Sequence, residues 1–117
     1  MHELAICQSL IGAVEKAAAG LGGGDVTAIQ IAIGPLSNVE PSLLERAFSL
    51  AREGTIANKA QLQIETMPVL VWCEACQLES PASANRLLCE GCGSWRVQLR
   101  SGDELLLKRI EMTELAA

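Results

Sequence analysis

The sequence has no tyrosine, a single phenylalanine (Phe48) and two tryptophans, Trp72 and Trp95, in 117 residues. Its core must therefore be built from Ala, Leu, Ile and Val, and since apolar residues make up 50% of the chain, the material is there. Cations are also scarce: 9 Lys and Arg stand against 14 Asp and Glu, a net charge of −5. That deficit argues against a nucleic-acid footprint, which needs a basic face, and against electrostatic attachment to a membrane. No apolar run approaches the roughly 20 residues that span a bilayer. The opening Met1-His2-Glu3 lacks the basic stretch of a secretory leader. It reads as a mature start and points to the cytoplasm.

Cysteine is what the chain does have. Four of the five form two C-x-x-C pairs, Cys73-Glu-Ala-Cys76 and Cys89-Glu-Gly-Cys92, with residues 77 to 88 between them. This spacing reads as a structural zinc site. Each C-x-x-C turns tightly enough to aim both thiolates at one ion, and two such turns on neighbouring hairpin tips complete a tetrahedron. Four soft thiolates leave no open position for catalysis. Disulfides do not suit a cytosolic chain, and a redox couple needs one C-x-x-C opening a helix rather than two facing each other. Iron accepts the same ligands, so spacing leaves it beside zinc. Gly91 and Gly93 fit the left-handed positions such turns require. Cys7, among Leu4, Leu10 and Ile11, reads as a small buried hydrophobe.

The pattern along the chain predicts an α+β fold. Leu4, Cys7, Leu10, Ile11, Val14, Ala17 and Ala18 recur at helical spacing over 4–19, and glycines from Gly20 onward stop them. Residues 25–34 alternate as a strand around Ile29, Ile31 and Ile33, ended by Gly34-Pro35. A loop from Leu36 to Glu40 follows. Pro41 suits the first turn of a second helix, whose stripe is Leu43, Leu44, Ala47, Phe48, Leu50 and Ala51. Residues 60–66 alternate again, Ser101-Gly102-Asp103 is a turn, and Glu104 to Glu111 forms a last strand. The expected architecture is two helices on a three-stranded sheet with an inserted zinc ribbon. The sheet domain comprises 1–67 plus 101–117, and the ribbon 68–100. On 68–100, Arg86, Arg96 and Arg100 balance Glu74, Glu79 and Glu90, so the ribbon has no basic stripe for nucleic acid.

The only histidine is His2. A bulky second residue keeps the initiator methionine in place, so Met1 retains its α-amine. That amine, the His2 backbone nitrogen and the His2 imidazole can close two fused chelate rings, with a fourth donor from the Glu3 nitrogen or carboxylate. Tetragonal nitrogen and oxygen donors favour copper(II) or nickel(II). The opposing reading is a solvated terminal histidine.

Several segments carry a resemblance. They are Met1-His2-Glu3-Leu4 with Cys7-Gln8-Ser9-Leu10, Ile33-Gly34-Pro35-Leu36-Ser37, Glu53-Gly54-Thr55, Trp72-Cys73, Gly91-Cys92-Gly93-Ser94 and Arg109-Ile110-Glu111. In this order, over the whole chain, they resemble the HypA/HybF family of hydrogenase nickel-incorporation proteins. Pro35 stands where that family more often has Glu or Ala, and its expected effect is on loop shape. The resemblance implies a non-enzymatic nickel metallochaperone, with an N-terminal nickel-binding domain and a zinc ribbon. Its cargo is Ni(II), its resident metal is Zn(II), and it delivers nickel to the large subunit of [NiFe]-hydrogenase. A maturation GTPase is the implied partner, and some family members also serve urease. Carried over residue by residue, His2 is the nickel ligand, with Met1 and Glu3 beside it, and Cys73, Cys76, Cys89 and Cys92 hold zinc. The competing reading is a zinc-ribbon adaptor with an idle terminus, and a nickel titration separates the two.

Overall fold

The computed structural model describes residues 2–22 and 24–113. The first helix, α1 (Glu3–Gly20), buries Cys7, Ile11, Val14 and Ala18, spaced by three or four residues as one face of a helix requires. It unwinds into a turn in which the Leu21 and Gly22 amides donate to the Ala18 and Ala19 carbonyls, with Gly22 at a positive φ. The second helix, α2 (Pro41–Ala51), starts on a proline, whose missing N–H falls where no intrahelical acceptor exists. Leu44 and Phe48, one turn apart, are its buried residues. After α2 the Thr55 hydroxyl donates to the Arg52 carbonyl at 2.6 Å and accepts from the Ala57 amide at 3.1 Å, closing the turn that Gly54 opens.

The strand β1 (Val26–Ile33) lies at the centre of a three-stranded sheet, between β2 (Gln61–Thr66) and the last strand, β6 (Leu105–Met112). The Ile/Ala alternation in the sequence has a consequence beyond one buried face. Ala28 and Ala32 are buried along with Ile29, Ile31 and Ile33, as a central strand allows. Ile29, Ile31, Leu44, Val14 and Val26 are the large side chains of this core, and no aromatic beyond Phe48 enters it. Lys108 on β6 and Glu65 on β2 meet at 2.6 Å, so their ion pair crosses over β1.

Three further strands, β3 (Leu70–Cys73), β4 (Leu78–Pro81) and β5 (Val97–Ser101), form a second sheet with β3 central and both pairings antiparallel. By contacts the chain divides into two compact units. One holds the described residues up to Ile31, Val39–Glu65 and those from Leu106 on; the other holds Ala32–Asn38 and Thr66–Leu105. The loop after β1 therefore belongs with the ribbon strands. It forms a short 3-10 turn, Pro35–Ser37, and ends at Asn38, which takes the left-handed conformation that Asn tolerates.

Gly34 lies in this loop against Gly102. The Gly34 amide donates to the Glu104 carbonyl at 2.9 Å and the Leu36 amide to the Gly102 carbonyl at 2.7 Å. A Cβ on Gly34 would overlap the Gly102 carbonyl group. The turn it rests on is braced by the Glu104 carboxylate, which accepts from the Ser101 hydroxyl at 2.7 Å and the Gly102 amide at 2.8 Å. The Ser101 hydroxyl is the main cause that holds the Glu104 carboxyl below its ordinary range.

Two outcomes follow. Leu44→Ala should lower stability by about 2–5 kcal/mol in chemical denaturation, as for other buried leucines. Gly34→Ala should cost about 1–3 kcal/mol, because backbone rather than a flexible side chain has to move. A Gly34→Ala protein as stable as wild type would show that the loop is free to shift.

Candidate metal centres

The ribbon brings Cys73, Cys76, Cys89 and Cys92 together, with their sulfurs all within 4.8 Å of one another. Cys73 ends β3, and Cys76 follows on a knuckle whose Gln77 amide donates to the Cys73 carbonyl at 2.8 Å. The second knuckle repeats the pattern, with the Gly93 amide donating to the Cys89 carbonyl at 2.8 Å. In each, the residue after the second cysteine is left-handed: Gln77 at φ 55° and Gly93 at φ 72°. The sequence reading placed Gly91 and Gly93 in that conformation. Gly93 has it, and Gln77 takes the other place, whereas Gly91 is not among the positive-φ residues. Gly91 lies instead close to sulfur, where a Cβ would stand 3.7 Å from the Sγ atoms of Cys76 and Cys89.

The sulfur spacing tests which ion fits. A tetrahedron with zinc–sulfur bonds of about 2.3 Å has edges of about 3.8 Å. The Cys73–Cys92 and Cys76–Cys89 sulfurs lie 3.7 and 3.8 Å apart. The thiols also show what an ion would relieve. The Cys92 amide, donating to the Cys89 sulfur, leads in bringing that thiol down to about 7, against burial and with help from the Gly91 amide. Cys76 is pushed up to about 12, first by its hydrogen bond with Cys92 and then by that with Cys89. Four sulfurs this close do not all ionise without a dication between them, and Zn(II) supplies that charge.

Ser80 was not singled out from the sequence. It is buried on β4 and its hydroxyl accepts from the Glu90 amide at 3.2 Å, tying the second knuckle to the sheet. The signal was faint: one small polar residue in a segment with no period.

At the other candidate centre, His2 is exposed and stands at the head of α1. Its carbonyl accepts the Ile6 amide at 2.9 Å, and its side chain makes no capping hydrogen bond. Glu3 is buried, 8% exposed, one turn before Cys7. Burial, and then the Glu3 charge, push the Cys7 thiol up, and its sulfur donates to the Leu44 carbonyl at 3.5 Å. Cys7 is thus a protonated core residue, as its sequence setting implied. Met1, the third member of the expected nickel set, lies outside the described residues.

A cleft of about 350 Å³ near the end of α2 is lined in part by Asp25, Thr27, Thr55, Asn58, Lys59 and Thr113. Its hydroxyls are spent internally: Thr27 on the Glu111 carbonyl, Thr55 on Arg52, and Thr113 on Asp25.

A small α+β domain, a second unit built on paired cysteine knuckles, and an exposed histidine at the head of the first helix define a metal-binding class. Comparison with known proteins makes the class particular. Residues 1–112 match the family model described as hydrogenase/urease nickel incorporation, metallochaperone, HypA. The hydrogenase maturation factor HypA of Nitrosospira multiformis is 46% identical over 112 residues, covering 96% of this chain and 97% of that one. Its counterpart in Aquifex aeolicus is 42% identical over the same shares of the two chains. The solution structure of the nickel metallochaperone HypA from Helicobacter pylori superposes with a TM-score of 0.72 at 30% identity, covering 96% of this chain and 97% of that one. The chain belongs to the HypA family of nickel metallochaperones.

Replacing Cys73 with Ala should abolish zinc binding and unfold the ribbon, because folding and metal binding are one free energy in a unit this small. Metal analysis and amide hydrogen exchange would check this. A folded ribbon in metal-free protein is the contrary result.

Proposed function

We propose that this chain binds Ni(II) at its N-terminus and delivers it to the large subunit of [NiFe]-hydrogenase during maturation. The nickel donors in this reading are the Met1 amine, the backbone and imidazole nitrogens of His2, and a donor from Glu3. Zn(II) on Cys73, Cys76, Cys89 and Cys92 is structural. By chemistry the nickel-binding part comprises 1–67 plus 101–117 and the zinc-binding part 68–100. The observation that carries the reading is His2: the only histidine of the chain, exposed, at the head of α1, with no capping duty for its side chain. Family membership supplies the cargo.

The chain acts as a carrier, not as an enzyme. A four-thiolate zinc site offers no position for substrate, and a single terminal histidine builds no catalytic triad. Its partners are proteins: a maturation GTPase, the hydrogenase large subunit and, where urease is served, urease maturation proteins. Its place is the cytoplasm. Neither nucleic acid nor membrane is a partner, in keeping with the acidic balance. Among the described residues no helix is long and apolar enough to cross a bilayer. Release is proton-linked, since amine and amide nitrogens bind the metal only when deprotonated. Affinity order alone favours copper, so nickel loading depends on availability and docking geometry.

The test is a nickel titration of untagged protein. His2→Ala should abolish stoichiometric nickel binding while zinc content and fold stay unchanged, because an exposed terminal side chain carries little packing. One residue added before Met1 should weaken nickel strongly, since it turns the amine into an amide and opens the first chelate ring. Acidification should release nickel as protons compete for the imidazole and the amine. An extended protein that binds nickel as tightly as the native one would remove the amine from the ligand set. Nickel binding unchanged by His2→Ala would favour the adaptor role.

A further inference from the structure

The four cysteines differ in how far the fold covers them. Cys73 and Cys89 are buried, Cys76 is half-buried and Cys92 is exposed. The reason is local. Cys92 stands between Gly91 and Gly93, so neither neighbour in the chain has a side chain to lay over it. Both glycines are exposed, and a Cβ on Gly93 would meet nothing within 4 Å. The nearby Trp95 gives little cover either: it is 72% exposed and its ring is taken up with Arg96, 5.3 Å away. The Cys73 sulfur lies across the cluster at 3.7 Å from that of Cys92, within reach of it.

We propose that Cys92 is a redox modification site, attacked first by a small peroxide and then resolved by Cys73, with zinc expelled as the disulfide forms. The proposal rests on the zinc reading of the four cysteines. In the first step the Cys92 thiolate attacks one peroxide oxygen and the O–O bond breaks. One oxygen stays on sulfur as sulfenic acid, and the other leaves as hydroxide and is protonated to water. In the second, the Cys73 thiolate attacks the Cys92 sulfur, the S–O bond breaks, and a second water leaves. Two thiolates lose two electrons in all, and one peroxide is reduced to two waters with the uptake of two protons. The sulfurs close from 3.7 Å to the roughly 2.0 Å of a disulfide. Zinc, stripped of two of its four anionic ligands, then departs. Cys76 and Cys89, at 3.8 Å, are placed to pair next. The buried Cys7, in the other unit, stays reduced.

The experiment uses the full chain, nickel-free and freed of reductant, after metal analysis has established one zinc per chain. Substoichiometric hydrogen peroxide is added, zinc release is followed with a chromogenic chelator, and dimedone trapping with peptide mass spectrometry locates the oxidised sulfur. Dimedone should appear first on Cys92, followed by a Cys73–Cys92 disulfide that forms in step with zinc release. Thiol reductant plus zinc should reverse both. Cys92→His, which keeps a four-ligand site without that thiol, should slow zinc release at least tenfold. Should that variant fail to load zinc, the order of labelling in the native chain decides alone. A zinc-loaded chain first oxidised at Cys73 or Cys89, paired as Cys89–Cys92, or releasing zinc equally fast as Cys92→His overturns the proposal. A chain that carries no zinc before peroxide overturns the zinc reading, and the proposal with it.

Discussion

Four sulfur atoms within 4.8 Å of one another set the terms for the second half of this chain. Brought together as thiolates they repel; held by one dication they become the most strongly bonded part of the unit. Little else there could do so. Apart from the cysteines, its buried apolar side chains are Ala32, Ile33, Val69 and Val71. Units of this size seldom stand on apolar burial alone. The backbone bends to the same requirement. A non-glycine residue, Gln77, is held left-handed so that the first knuckle can close as the second does.

The other unit rests on apolar packing, and that is why the sequence showed it well. Helical spacing marked Cys7, Ile11, Val14, Ala18, Leu44 and Phe48, and these residues are buried. Alternation marked β1 and β2. The ribbon strands were not readable, for a physical reason. They are four or five residues long, and β4 buries only Ser80. A sheet held by metal need not write a hydrophobic period into its sequence. The bulge between Leu70 and Val71, where β3 pairs with β5, likewise leaves no mark in composition.

The histidine at position 2 was legible because it has no competitor. The setting of Glu3 was not, although the same period contained it. Glu3 lies four residues before Cys7, so it falls on the stripe that α1 buries, and its side chain goes inward where a terminal carboxylate is expected to face water. The head of α1 thus presents an exposed imidazole beside a shielded carboxylate.

The poverty in aromatics has a spectroscopic consequence. Both tryptophans lie in the unit of the four paired cysteines, Trp72 next to Cys73 under the Arg100 guanidinium and Trp95 largely exposed. The other unit contains Phe48 and neither tryptophan nor tyrosine. Excited at wavelengths only indole absorbs, the molecule emits from one unit alone. A half-buried indole on β3 and an exposed one beyond the second knuckle report the same ribbon, with no label attached.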